Sequence, residues 1–402
     1  MVKDEKQDGR RTITELDYCL LHREQPLNAS EQKTISGWCE PYVTQILILY
    51  EKYKRNRSNY RPDFRQFATH MTPTSRSDEI ECVMRIGVFT PLLSQLPLAA
   101  VLKKLKTLQI DTVELGTGNY PGDAHCKLAM LEDASSLEEF KKILADHGAS
   151  ISALSCHGNP LHPDKARAQY DRDVSRRTIL LAQKLGIPVV IDFSGCPGDS
   201  PHATAPNWVT CPWPPDYLKV LDWQWNEVVA PYWTEHANFA ADHGVKIAIE
   251  MHPGFVVYSP ETMLKLRSIA GPNVGCNFDP SHLFWQSIDP IAAVRVLKDS
   301  IFHVHAKDTQ IYAANLPRTG VLDTKPYTQE RERAWIFRTC GYGHGAEWWS
   351  EFISTLRMFG YDNVLSIEHE DSLLSPEEGL TKAANFLNSI VIREQPGTAW
   401  WV

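Results

Sequence analysis

The stretch Ile247-Ala248-Ile249-Glu250-Met251-His252-Pro253 decides how the chain is read. A run of apolar, β-favouring residues ends in a carboxylate and a histidine, and a proline stops it. Three stretches downstream repeat the pattern. Val274-Gly275-Cys276 runs into Asn277-Phe278-Asp279-Pro280-Ser281-His282, and Ile301-Phe302-His303-Val304-His305 runs into Ala306-Lys307-Asp308. Val364-Leu365-Ser366-Ile367 runs into Glu368-His369-Glu370-Asp371. Each reads as a short buried strand with metal-ligand side chains at its carboxyl end. One strand-plus-helix unit takes about 30 residues. Glu250, Asp279 and His305 follow one another at close to that interval, and Glu368 comes after one further unit enlarged by an insertion. Parallel strands that keep their chemistry at their carboxyl ends are the layout of a (β/α)8 barrel.

Outward from this stretch, the alternation of strand and helix signals extends over the rest of the chain from residue 84. Strands are expected at 86–89, 112–115, 150–156, 189–193, 246–250, 274–279, 301–305 and 363–368, with helical segments between and after them. Eight such units predict an α/β fold, a (β/α)8 TIM barrel over residues 84–392, with a C-terminal tail at 393–402. A doubly wound sheet would need a glycine-rich phosphate turn after an early strand, and Gly116-Thr117-Gly118-Asn119 is too short for one. Residues 1–83 are polar and differ from everything after them. They hold one amphipathic helical stretch at 30–53, a shorter one at 62–70, and linker composition at 72–79. A helical arm, an oligomerisation element and a disordered extension all remain open for this N-terminal extension.

Composition excludes several classes. With 43% hydrophobic and 22% charged residues in 402, the chain can bury a sizeable core. A net charge of −8 argues against a general nucleic-acid binder, and no apolar run reaches the roughly 18 residues of a membrane helix. The opening Met1-Val2-Lys3-Asp4-Glu5-Lys6 lacks the apolar core of a signal peptide. Nine cysteines, an odd count without CxxC spacing, suggest free thiols in a reducing compartment. A cytoplasmic protein is expected, with a small-molecule carbohydrate as substrate, no nucleic-acid or membrane partner, and assembly as a homo-oligomer or with another subunit.

In a strand, residues two apart share a face. Ala248 and Glu250, Asn277 and Asp279, His303 and His305, and Ser366 and Glu368 therefore point into the barrel in pairs, the lower member small or polar and the upper able to reach a shared centre. Glu250, Asp279, His305 and Glu368 would surround a divalent cation with three carboxylates and one imidazole. An oxygen-rich set with one nitrogen suits Mn2+, Mg2+ or Co2+ better than a thiolate-type zinc site. The alternative is that these buried acids pair with Lys or Arg. Two long insertions, 194–216 and 309–345, leave from strand carboxyl ends and should overhang the same mouth. The first carries Trp208 and Trp213, with Trp223 and Trp225 just beyond, and the second carries Tyr312, Arg318, Tyr327 and Arg338. Such aromatics could stack on a sugar ring or pack the loops onto the barrel.

Other residues near the mouth have two readings each. His157 is an acid/base or hydroxyl contact, or a loop-packing residue. Glu114 binds a sugar hydroxyl or forms an ion pair. Lys307 and Asp308 bind substrate, the favoured reading, or pair with each other. Arg338 holds an anionic group or is a surface cation, and His252 and His369 are read as structural.

Residues 84–392 resemble the xylose isomerase-like TIM barrel superfamily, the sugar phosphate isomerase/epimerase group. The match lies in the strand ending at Glu250, in Asp279-x-x-His282, in His305 of His-Val-His-Ala-Lys-Asp, and in Glu368 of Ser-Ile-Glu-His-Glu-Asp. The resemblance implies one divalent metal, usually manganese, held by Glu250, Asp279, His305 and Glu368, with His282 contacting substrate. Such a metal acidifies the carbon beside a chelated carbonyl, and Glu250 and Glu368 on opposite faces could remove and return its proton. Isomerisation or epimerisation of a sugar follows. If the neighbouring carbon carries a leaving group, the outcome is a lyase acting on an oxidised (3-oxo) sugar or glycoside, C-glycosides included. An endonuclease of the same barrel type would need more strand-end histidines than His157, and a non-catalytic barrel would be expected to have lost a ligand carboxylate.

Overall fold

The computed structural model describes residues 83–395, 397–399 and 401. The helical stretches expected at 30–53 and 62–70 lie outside the described residues. The strands are β1 (Arg85–Phe89), β2 (Thr112–Gly116), β3 (Ser150–Ser155), β4 (Val189–Phe193), β5 (Lys246–Glu250), β6 (Val274–Phe278), β7 (Ile301–Ala306), β8 (Asp308–Ile311), β9 (Trp335–Arg338) and β10 (Val364–Ile367). Eight of them close into a parallel barrel in the order β1-β10-β7-β6-β5-β4-β3-β2. The expected (β/α)8 barrel is the observed fold.

β5 illustrates how the sequence builds it. Ile247 and Ile249 face outward into the main core between sheet and helices, where they are 1% and 0% exposed. Burying each such side chain contributes roughly 1.5–3 kcal/mol. Ala248 belongs instead to a small separate cluster with Ala153, Val189, Ile191 and Phe302. Phe302 reaches it because the β6–β7 register skips one residue, pairing Cys276 with Ile301 and Asn277 with His303. Gly275 leaves the room: a Cβ there would lie 2.5 Å from a Phe302 ring carbon.

The outer helices carry their own start and stop signals. Ala134–His147 begins at Asp133, whose carboxylate accepts from the amides of Ser135 and Ser136, and ends at Gly148 with φ 62°. Lys165–Leu185 begins at Asp164 and ends at Gly186 with φ 71°. Such N-caps are each worth about 1 kcal/mol. The helix expected at 225–242 starts earlier, because Asp216–Trp223, a π turn at Gln224–Val229 and Ala230–Asp242 run end to end. Pro231 has no N–H for the preceding turn, and the wider turn is where the helix absorbs it.

The insertion after β7 is not a simple loop. β8 and β9 pair antiparallel, Asp308 opposite Arg338 and Ile311 opposite Trp335. The ribbon has its own apolar core of Trp285, Ala334, Trp335 and Phe337, with the rings of Trp285 and Trp335 stacked 4.5 Å apart. The tryptophans of the first insertion pack or face solvent: Trp225 is 3% exposed in the main core, Trp208 meets Tyr258 edge-on, and Trp213 is exposed. No helix among the described residues is long and apolar enough to cross a membrane.

Candidate active site

At the carboxyl ends of the strands lies a cavity of about 450 Å3. Its apolar side comes from Phe89 at the end of β1, Phe193 at the end of β4, Leu92, Tyr120 and Phe255. Its charged side comes from Glu250, His252, Lys307, Glu368 and Glu370. Asp279, His282 and His305 lie buried behind that charged wall.

Glu250, Asp279, His305 and Glu368 come together: each offers one ligand atom, and these atoms lie within 4.8 Å of one another. Glu250 Oε2 accepts from His157 Nε2 at 2.9 Å and from Asn277 Nδ2 at 3.0 Å. Asp279 caps the short helix Pro280–Phe284 through Oδ1, which accepts from the Ser281 amide, leaving Oδ2 directed at the centre. His305 Nδ1 is 2.9 Å from Glu368 Oε2 and 3.2 Å from Glu250 Oε2. Its Nε2 lies 3.0 Å from both oxygens of Glu114. Lys307 Nζ stands at ion-pair distance from Asp279 Oδ2 and Glu368 Oε2, the lysine pairing that the sequence left open, but these two atoms and His305 Nδ1 are buried with no well-formed hydrogen bond. Buried polar atoms are rarely left so. These three, converging with the Glu250 carboxylate as a fourth ligand, have the donor chemistry of a divalent-cation site. The residues present therefore fit such an ion.

Lys307 is 2% exposed, and its ammonium sits among Asp279 Oδ2 (3.1 Å), Glu368 Oε2 (2.9 Å) and Glu370 Oε2 (3.0 Å). Burial alone would lower its pKa, but these carboxylates hold it well above the ordinary lysine value. The same group depresses Asp279, where burial is outweighed by Lys307 and His282. His282 Nε2 lies 3.2 Å from Asp279 Oδ2 and 3.3 Å from Glu250 Oε1.

Several residues stand elsewhere than expected. Lys307 and Asp308 do not pair. Asp308 faces away from the cavity and is fully buried, taking N–H groups from Thr309, Gly341, Gly343, His344 (backbone and ring) and Trp349. It pins the ribbon and the following turn to the barrel, so its carboxylate is not free for substrate. Glu114 is not at the mouth: it is 0% exposed and bonded to Ser155, Ser366 and His305, the ion-pair reading. Arg338 is engaged by Asp371, Nε to Oδ2 at 3.0 Å.

The sequence reading passed over His252, His369 and Glu370, which line the cavity. His252 Nδ1 donates to the Pro253 carbonyl at 2.6 Å, and burial, with His282 adding to it, lowers its pKa to about 3, so the ring is neutral. A signal for two of them was present. His252, Lys307 and Glu370 each stand two residues past a strand-end ligand type, where the alternation of the strand, carried on, keeps to the same face.

A family model described as the xylose isomerase-like TIM barrel matches residues 102–390. The chain belongs to that family. It is 38% identical over 312 residues to YfiH, an uncharacterised protein of Bacillus subtilis (strain 168), covering 77% of this chain and 99% of the relative. It is 29% identical over 127 residues to the inosose dehydratase of Glaesserella parasuis serovar 5 (strain SH0165), covering 26% and 42%. A solved D-tagatose 3-epimerase-like protein matches with TM-score 0.52 and 19% identity over 76% of this chain and 98% of that one, a likeness of fold. The resemblance drawn from Asp279-x-x-His282 and its neighbouring strand ends is borne out at the level of the family.

Proposed function

We propose that this protein is a divalent-metal-dependent sugar isomerase or epimerase, moving a proton beside the carbonyl of a polyhydroxylated substrate. The observation that carries the reading is the convergence of one ligand atom each from Glu250, Asp279, His305 and Glu368 within 4.8 Å of one another, with Asp279 Oδ2, His305 Nδ1 and Glu368 Oε2 buried and short of well-formed hydrogen bonds. These four residues would hold the ion, Mn2+ by preference and Mg2+ or Co2+ as substitutes. When bound, such an ion polarises a carbonyl and a neighbouring hydroxyl and stabilises the negative charge that develops as the C–H bond breaks.

The chain's own residues do the rest. Glu250 and Glu368 come from strands on different sides of the centre, and each has an oxygen in the cluster, so one can take a proton that the other returns. His157 and Asn277 orient Glu250, and Lys307 orients Glu368. His282, between Asp279 and Glu250, is placed to contact a substrate hydroxyl, as is neutral His252 beside it, the two rings 4.1 Å apart. Phe193 stacked on Phe255 at 4.3 Å offers a flat apolar surface to the C–H face of a ring and keeps water from it. Net charge −8 accords with a small carbohydrate as partner rather than a nucleic acid. The six described cysteines, all unpaired, accord with a cytoplasmic setting.

A second reading, a lyase on an oxidised sugar or glycoside, is favoured by Lys307. Its buried ammonium beside Glu368 and Glu370 is a proton source for a departing oxygen. The base would take the proton next to the carbonyl, the C–O bond on the adjacent carbon would break, and the leaving group would depart protonated. The stretch similar to inosose dehydratase agrees with it. Proton NMR in D2O with added Mn2+ tests both, on free ketoses, inososes and 3-oxo-glycosides beside an EDTA-treated control. Deuterium entering the carbon beside the carbonyl, with a new isomer, supports the first reading. Loss of water or aglycone with free ketoses untouched supports the second, and no metal-dependent change on any substrate refutes both.

A further inference from the structure

Glu114 is a buried charge that the reaction proposed above does not use. It stands on β2, and its partners come from three other strands: Ser155 Oγ on β3 donates at 2.5 Å, Ser366 Oγ on β10 at 2.6 Å, and His305 Nε2 on β7 lies 3.0 Å from each oxygen. The carboxylate is 0% exposed and takes no part in lining the cavity. A carboxylate so enclosed is costly to desolvate, and a barrel interior can be filled with apolar side chains instead.

The geometry of His305 gives the charge a task. An ionised carboxylate only accepts hydrogen bonds, so the imidazole nitrogen facing Glu114 carries its proton. The nitrogen left to give up its proton to a bound cation is then Nδ1, which in the metal-free chain lies 2.9 Å from Glu368 Oε2 and 3.2 Å from Glu250 Oε2. Ser155 and Ser366, reaching in from separate strands, hold the carboxylate so that both its oxygens address one nitrogen.

We propose that Glu114 is a positioning residue that keeps the proton of His305 on Nε2 and thereby sets how tightly the cluster of Glu250, Asp279, His305 and Glu368 holds its metal. The proposal rests on the reading of that cluster as a metal site. Outer partners of ligating histidines are typically worth 10–100-fold in metal affinity.

The test is calorimetric titration of metal-free full-length protein with Mn2+, and with Co2+ followed by its visible absorption, in the native chain and in Glu114→Gln. Gln keeps the size and one acceptor oxygen but removes the charge. Mn2+ affinity should fall about 10–100-fold, and the Co2+ spectrum should change in position or intensity, while the metal-free protein melts within a few degrees of the native one. A purely structural ion pair would shift the melting temperature and leave affinity and spectrum alone, and that result overturns the proposal. If Glu114→Gln fails to fold, the double variant Ser155→Ala/Ser366→Ala decides. It keeps the charge but frees its orientation, and should weaken Mn2+ severalfold, with unchanged affinity overturning the proposal. Native protein that binds neither Mn2+ nor Co2+ would remove the metal reading itself, and is told apart by failing before any variant is compared.

Discussion

The two halves of the barrel treat the cavity differently. β1 to β4 and the segments after them give it Phe89, Leu92, Tyr120 and Phe193, while β5, β7, β10 and the residues following them give it Glu250, His252, Lys307, Glu368, His369 and Glu370, with Phe255 the one apolar side chain of that half among the lining residues. His157 departs from this division as a polar lining residue of the first half and bonds to Glu250, and Glu114, outside the cavity, reaches from the same half to His305. A fold of eight similar units has thus separated tasks by strand number. The first half shapes and aims, and the second half carries the charge that chemistry needs.

The strongest way to break this division is in the second half. Glu368→Gln should lower turnover by at least about 10^2–10^4-fold, the usual contribution of a positioned proton-transfer group. The far-ultraviolet spectrum and melting curve should stay close to the native ones, because Glu368 is partly exposed and caps no helix. Retained activity would remove Glu368 from the mechanism and leave the charged half without its defining role. Next in size is Asp308→Ala, which deserts a cluster of buried N–H groups from residues 309–349. Hydrogen bonds to a charged group are worth about 1.5–3 kcal/mol each, with a further penalty for donors left unpaired. We expect a loss of about 3 kcal/mol or more in urea unfolding; a loss near zero would mean that the ribbon is not tied through this residue.

On the apolar side, Phe193→Ala should act through binding. Removing a ring that packs on Phe255 and on His157 should raise KM about 10-fold, with kcat falling less. Steady-state kinetics on the substrate found by NMR reads this directly. A drop in kcat alone would move Phe193 from shaping the cavity to positioning His157.

What the sequence made legible follows the same division. The strands of the second half announced themselves because β-branched runs end in Glu250, Asp279, His305 and Glu368, in phase, and the structure brings those four together. Alternation tells which face a side chain takes but not its height along the barrel axis, which depends on strand stagger. Glu114 was therefore placed on the correct face and at the wrong level; a register shift between β2 and β3 at Val113/Glu114 adds to this and leaves no mark in the sequence. Asp308 was unreadable for a different reason. Its partners lie at 341–349, brought back by a ribbon whose strands are each only four residues long. His252 lies beyond the end of β5 at Glu250, where the strand no longer enforces alternation, yet it lines the cavity.

Two buried aspartates give the smallest and sharpest contrast between the halves. Asp279, on the charged side, is depressed because Lys307 and His282 outweigh its burial. Asp192, at the end of β4, is pushed up to about 7 because burial outweighs Ser175, His157 and the backbone amides of Phe193 and Gly158. Its folded pKa thus stands above the unfolded value, so the native state holds the proton more tightly. That contribution to stability is fully present below about pH 4 and is lost as pH rises through about 7. In Asp192→Asn, Oδ1 can still accept from the Gly158 and Phe193 amides, and the amide nitrogen replaces Oδ2, with the Ser175 hydroxyl as a neighbour of the group. The variant should match the native protein near pH 4 and become the more stable of the two as pH rises, by at least about 2 kcal/mol at pH 8, since each tenfold difference in proton affinity is worth about 1.4 kcal/mol. Urea unfolding at pH 4, 6 and 8 measures the difference. A gap that does not widen with pH would mean that Asp192 is ionised in the native state, a second compensated charge in the first half of the barrel beside Glu114.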